Sequence, residues 1–232
     1  MVDRTASPGP TRTQARIAHR LCLASAAVPH IVIPMPPLIL ASASEARRAM
    51  LHAAGIAVTV DPARIDEAAI RAALAAEGAG PRDIADALAE AKARKRSGRY
   101  PGQLVLGADQ VLEHRGDILS KAEDVQALTT QLRRLRGETH QLLSAAVLYL
   151  DGQPIWRHVG VARLAMRRLS DDAIATYVAR NWENVHGCVG GYRIEAEGIR
   201  LFERIDGDYH AILGLPLVQL LNHFANRGEL DP

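Results

Sequence analysis

Residues 38–51 read LILASASEARRAML. Leu38 to Leu40 form a short apolar run of the kind a buried strand makes, and residues 41–44 are all small. Helical spacing then takes over with Ala46, Ala49, Met50 and Ala53. Ser42 and Glu45 have capping-box spacing, and Gly55 can end the helix. A strand, a tight turn and a helix are thus predicted within 18 residues, the opening of an α/β fold. Two arginines, Arg47 and Arg48, fall in the first helical turn, where the macrodipole disfavours cations. Their placement makes sense if an anion occupies the helix N-terminus, with backbone N–H groups of the ASAS turn and the guanidinium groups binding phosphate oxygens.

Outward from that stretch, strands and helices alternate. GIAVTV supplies a second strand near 56–60, and alanine-rich helices are predicted over 66–78 and 81–96, the second opened by Gly80-Pro81. QLVLGADQVLE (103–113) reads as a strand with turn-breaking Gly107 near its middle, followed by an HRGD turn at 114–117. Val125, Leu128, Leu132 and Leu135 mark one face of a helix that Gly137 closes. A strand from His140 to Leu150 turns at Asp151-Gly152 and returns through 155–167 as a hairpin. Ser170 caps a helix to about Arg180. A glycine-rich GCVGGY precedes a second hairpin turned at Asp206-Gly207, and GLPLVQLLNHF gives an amphipathic last helix. The two hairpins argue for a mixed rather than parallel sheet. Without repeats or long linkers, residues 37–226 are expected to form one folded unit.

Composition narrows the function classes. The chain has 232 residues, 48% of them hydrophobic and 23% charged, with a net charge of +2, an ordinary globular balance. No basic block interleaved with aromatics marks a nucleic-acid surface, and KARKRSGR at 92–99 reads as a solvated helix end. Cys22 and Cys188 lie far apart without metal or CxxC spacing, which suits a reducing cytoplasm. Residues 1–36 are poor in acids, and LCLASAAVPHIVI is interrupted and too short to span a membrane. They are expected to be a disordered extension, or the product of a start upstream of a true Met35.

Several charged residues stand out. Asp109 has apolar neighbours on both sides, and an unpaired buried carboxylate costs several kcal/mol. Either it caps a turn after Gly107, or it is a metal ligand or general base. Lys92 sits at the edge of the stripe Ile84, Leu88, Ala91, where it either snorkels to water or serves a site. Lys121 follows the ILS segment, and Asp66 with Glu67 forms an acidic pair that would also suit a helix N-terminus. Arginines, lysines and carboxylates at strand ends suit a triphosphate with a divalent cation. There is no GxxxxGK[ST], no strand-linked GxGxxG, no HExxH and no GxSxG, so kinase-like, P-loop, Rossmann and zinc-hydrolase readings fall.

At this point four segments resemble one family, the Maf-like nucleoside triphosphate pyrophosphatases. LILASASEARRAML is similar to its LILASxSPRRxxLL opening, and GADQVLEHRGDILSK to its ADT-centred strand with a GKP hairpin. LRGETHQLLSAAVL is similar to LSGxTHxVxTxVxL, and VGGYRIEAEGIRLFERIDGDYHAILGLPLVQL to the family's closing motifs. The resemblance implies a two-lobed α/β fold of the Maf/inosine-triphosphatase type, with a curved mixed sheet and a cleft between lobes. It implies hydrolysis of the α–β phosphoanhydride to a nucleoside monophosphate and pyrophosphate, with Mg²⁺ or Mn²⁺ as cofactor. A nucleotide substrate, a cytoplasmic setting and a homodimer also follow from it, without nucleic-acid or membrane partners. Carried over by motif position, Asp109 is the water-activating carboxylate and a metal ligand with Glu67. Ser42, Arg47, Arg48, Lys92 and Lys121 are phosphate contacts. Three positions depart from the pyrimidine-preferring pattern: Ala46 where that pattern has arginine, Gln110 where it has threonine, and Glu195 where it has glutamine. They lean towards a guanine-type or modified purine base, because a carboxylate accepts from guanine N1–H and its amino group. A dTTP/UTP pyrophosphatase, or a weakly active nucleotide-binding regulator of septum formation, are the alternatives. GCVG also replaces the DKAG common before the GxY motif, with loss of an acid and a lysine.

Overall fold

The computed structural model describes residues 38–230. The expectation for residues 1–36 lies outside the described residues. Strand β1 (Leu38–Leu40) leads through the small-residue turn into α1 (Glu45–Ala53), then β2 (Val58–Val60), α2 (Glu67–Ala76) and α3 (Pro81–Ser97). Next come β3 (Leu104–His114), the short β4 (Asp117–Leu119), α4 (Val125–Leu135), and the hairpin of β5 (Thr139–Leu150) and β6 (Gln153–Met166). The chain closes with α5 (Asp171–Val185), β7 (Phe202–Asp206), α6 (Tyr209–Ile212) and α7 (Leu217–Asn226). Seven strands form one mixed sheet in the order β2-β1-β3-β5-β6-β7, with β4 paired to β3. β1 is parallel to both β2 and β3, and all other pairings are antiparallel.

The long strands β3, β5 and β6 carry two lobes. At one end Leu104, Leu106 and Leu148 pack against Met50 and Leu51 of α1 and Leu217, Leu220 and Phe224 of α7. The opposite face of that end buries Val105, Ala145 and Val147 beneath Ile84, Leu88 and Ala89 of α3. Towards the other end Leu112, Leu142 and Leu164 pack against Leu128 and Leu132 of α4 and Ile174 and Val178 of α5. The lobes are therefore two helical coverings of one continuous sheet. Among the described residues no helix is long and apolar enough to cross a membrane.

One discontinuity of the ladder matters most. β1 pairs with β3 only at Leu104–Leu106, and β4 pairs with β3 only from Leu112 onward. Between them Gly107–Val111 keep β5 on one side and, among the described residues, have no strand on the other. The sheet thus opens a gap at the middle of β3.

Four local expectations are corrected. Gly107 makes no turn: it lies inside β3, opposite Val147. A Cβ there would stand 2.1 Å from the Ala89 carbonyl oxygen, so glycine lets α3 lie flush on the strand. Ser42 and Glu45 form no capping box; Ser44 is the N-cap of α1, its side chain accepting from the Arg47 N–H. Asp206-Gly207 turns no hairpin, because β7 pairs back to β6 and Asp208 caps α6 by accepting from the Ala211 N–H. Helix α5 continues past Arg180 to Val185, since Val185 still reaches the second lobe's core. The Asp151-Gly152 hairpin turn is as expected, with φ of 47° and 78°.

Candidate active site

The gap beside β3 opens into a cleft of about 680 Å³. Its floor is Asp109 and Gln110, and one wall is the β1–α1 turn with Ser42, Ala46 and Arg47. α2 and α3 add Glu67, Arg71 and Lys92, the segment after β4 adds Lys121, and the second lobe contributes Cys188, Arg193 and Glu195. The location follows a general rule of α/β sheets, in which ligands bind beyond the carboxyl ends of parallel strands.

Arg47 answers the question its position raised. Its side chain is buried, with Nε donating to the Gly214 carbonyl at 2.7 Å and Nη1 donating to Ser42 Oγ at 2.8 Å and to the Ala108 carbonyl at 2.9 Å. Burial lowers its pKa from the ordinary value, and the carboxylates of Asp109 and Glu67 oppose that shift. Three protein oxygens therefore hold the guanidinium in the first turn. Nη2 makes no hydrogen bond among the described residues, and Arg47 is part of the cleft lining.

Arg48 does something else. One residue on, it points off the outer side of α1 and pairs with Glu45 at 2.6 Å in exposed surroundings. It is absent from the cleft lining, so the expected phosphate contact is corrected for Arg48. A helix turns each successive residue by about 100°, which separates two adjacent arginines into two environments.

Lys92 and Asp109 form the centre. Lys92 is 7% exposed, and its Nζ donates to Asp109 Oδ1 at 2.6 Å and lies 2.8 Å from Glu67 Oε1. The snorkelling reading is thereby excluded. Asp109 is 6% exposed and sits mid-strand opposite Ala145, so it caps no turn. Burial alone would raise the pKa of Glu67, but the Lys92 hydrogen bond and the charges of Lys92, Arg71 and Lys121 hold it below the usual carboxylate value. Asp66, its neighbour, is the N-cap of α2, accepting from the Ala69 N–H at 2.9 Å, and is not part of the lining.

Gln110 faces the same cleft but is tied to the second lobe. Its Nε2 donates to Ser144 Oγ and to the Ile212 carbonyl, each at 2.9 Å, and to the Ala211 carbonyl at 3.2 Å. Glu195 also lines the cleft, its carboxylate 4.0 Å from Arg193 Nε. Within GCVGGY, packing requires the last glycine: Gly191 has φ of 66°, and a Cβ there would meet Leu128 Cδ1 at 1.9 Å.

Two contributors were not legible beforehand. Arg71 stands one helical turn after Glu67, 3.9 Å from its carboxylate, and the i,i+4 spacing was the available signal. Ser144 looked like an ordinary strand residue, and no local signal marks it.

Among the described residues no group of three His, Cys, Asp or Glu side chains could hold a metal ion. Glu67 and Asp109 present two hard carboxylates around Lys92. That donor set suits a Mg²⁺-type ion held by one or two carboxylates together with substrate phosphates, not a metal caged by protein alone.

Comparison with known proteins agrees with this geometry. The family model described as "Maf-like protein" matches residues 37–227. A nucleoside triphosphate pyrophosphatase of Roseobacter denitrificans is 58% identical over 194 residues, covering 84% of this chain and 98% of the relative. One from Ruegeria pomeroyi is 54% identical over 195 residues, with coverage of 84% and 98%. A 7-methyl-GTP pyrophosphatase of Mesorhizobium japonicum is 47% identical over 194 residues, again covering 84% and 98%. The match runs through every element around the cleft, and the chain belongs to the Maf-like protein family.

Proposed function

We propose that the protein is a nucleoside triphosphate pyrophosphatase, cleaving the α–β phosphoanhydride to release a nucleoside monophosphate and pyrophosphate. The observation that carries this reading is the Lys92-bridged pair Asp109 and Glu67 at the open edge of β3, in a cleft that also holds Arg47, Arg71 and Lys121. The names of the relatives support it.

Asp109 is the group placed to take a proton from water as that water's oxygen bonds to phosphorus. The P–O bond of the anhydride breaks, and its electron pair leaves with pyrophosphate. Lys92 fixes the Asp109 carboxylate through Oδ1 and leaves Oδ2 for the water. Arg47 Nη2, Arg71 and Lys121 neutralise phosphate oxygens, most effectively where charge builds on the leaving group. Glu67 and Asp109, with phosphate oxygens, would hold a divalent cation, Mg²⁺ or Mn²⁺. When bound, that ion supplies further neutralisation of the triphosphate.

A guanine-type or modified purine base is the favoured substrate. Gln110 and Glu195 line the cleft, and relatives at 44% and 47% identity are 7-methyl-GTP pyrophosphatases. A cytoplasmic housekeeping role, with removal of non-standard nucleotides, fits this chemistry, and a homodimer is carried over from the family resemblance.

The test is pyrophosphate release from a panel of canonical and modified triphosphates with Mg²⁺ or Mn²⁺, beside Asp109→Asn. Loss of a general base costs about 10²–10⁴-fold, so the variant should fall by at least about 100-fold with an unchanged circular dichroism spectrum. Tight nucleotide binding without pyrophosphate release in the wild type would instead favour the regulator. Full turnover in Asp109→Asn would remove Asp109 from its role.

A further inference from the structure

The Gln110 carboxamide is held by its nitrogen alone. Three oxygens surround Nε2: Ser144 Oγ and the carbonyls of Ala211 and Ile212 at the end of α6. Carbonyls only accept, and the buried Ser144 hydroxyl donates its proton to the Ala211 carbonyl at 2.6 Å, which leaves it as an acceptor towards Gln110. A flipped carboxamide would set Oε1 against all three and strand Nε2. In the observed orientation Oε1 has no partner among the described residues, while Gln110 lines the cleft.

We infer that Ser144 and the two α6 carbonyls are positioning groups that lock Gln110 with Oε1 towards the substrate, so that this position selects nucleobases presenting N–H donors. The inference deepens the nucleotide-pyrophosphatase reading and rests on it. The Glu195 carboxylate, also in the cleft lining, likewise only accepts. Two acceptors match the adjacent N1–H and 2-amino group of a guanine-type base. Uracil and thymine offer one N–H between two carbonyls, which would meet those acceptors with like partial charge. The bracing segment also reaches the phosphate side, because the Gly214 carbonyl, two residues past Ile212, accepts from Arg47 Nε. One short stretch of backbone thus holds both Gln110 and Arg47.

The experiment compares kcat/KM for GTP, ITP and UTP in wild type, Ser144→Ala and Ser144→Thr. ITP lacks the 2-amino group and counts the second donor. Ser144→Ala removes one of the three acceptors and leaves the two carbonyls, so it weakens the lock by one net hydrogen bond, roughly tenfold. The GTP:UTP ratio should therefore fall about tenfold in Ser144→Ala, through KM for GTP more than kcat. Threonine keeps the hydroxyl and should restore the ratio in folded protein, a check that circular dichroism supplies because Ala211 packs over Gly160, the cross-strand partner of Ser144. Gln110→Met, which keeps length and drops the acceptor, should give the same collapsed ratio. A folded Ser144→Ala with an unchanged GTP:UTP ratio, or one that loses all three substrates equally, overturns the lock. Binding of the α,β-methylene analogues of GTP and UTP separates the two claims. If no triphosphate is cleaved, the activity reading fails, while a preference for the GTP analogue that Ser144→Ala abolishes still upholds the lock.

Discussion

At the scale of single residues, Arg47 and Lys92 are held by oxygens of the protein itself. Arg47 satisfies Gly214, Ala108 and Ser42 from one guanidinium, a fork geometry that an ammonium cannot reproduce. Arg47→Lys should leave at least one buried carbonyl unpaired and destabilise the fold by about 2 kcal/mol. Urea unfolding would read this, and a loss indistinguishable from zero would show that the clamp is dispensable. Arg48 supplies the contrast. Its exposed pair with Glu45 is screened by solvent and contributes little, so Arg48→Ala should leave both stability and pyrophosphate release close to wild type. A large drop in kcat/KM for Arg48→Ala would return that residue to the site.

Elements set the next scale, and here α3 is the critical one. It delivers Lys92 to Asp109 only because Gly107 lets the helix axis approach β3 without a side chain between them. In Gly107→Ala the new methyl would fall 2.1 Å from the Ala89 carbonyl oxygen and 2.6 Å from the Ala93 nitrogen, contacts that require α3 to move. Overpacking of this kind costs about 1–3 kcal/mol. Because Lys92 adjoins Ala93, the same movement should separate it from Asp109 and lower kcat as well as the unfolding midpoint. A variant that loses stability yet keeps full kcat would show that the Lys92–Asp109 contact tolerates the shift. The strand reading of 103–113 held, whereas the turn assigned to Gly107 did not. A glycine needed for close approach and one needed for a turn look the same in a sequence, and only the packed helix tells them apart.

The whole molecule adds a pH dependence from outside the cleft. His140 of β5 is buried between Tyr192 and Phe202, with Nε2 2.6 Å from the Tyr192 hydroxyl. Burial, with a smaller contribution from the charge of His114, pushes its pKa down from 6.5 to about 4. The unfolded chain then binds a proton at this position between pH 6.5 and 4 that the folded chain refuses. Stability is therefore full above pH 6.5 and declines as pH falls through that window, by on the order of 3 kcal/mol at its lower end. Denaturation midpoints across that range should slope downward towards acid in the wild type and flatten in His140→Gln. An equal slope in both would assign the acid sensitivity to other groups.

The sequence by itself determined the alternation of strands and helices, the mixed sheet and the family, because apolar periodicity, turn dipeptides and ordered motifs are local properties of the chain. It also named Asp109, Glu67, Lys92, Lys121 and Arg47 as charged residues in unusual places. Their division of labour was decided by tertiary structure alone. Lys92 and Asp109 are 17 residues apart, and Arg47 and Gly214 are 167 apart. Whether a buried charge is held by a neighbour or left to a ligand depends on which atoms the fold brings within hydrogen-bond distance. Ser144 is the clearest case: nothing in THQLLSAAVLYL distinguishes it, and its hydroxyl acquires a role only where α6 packs its last carbonyls across β5.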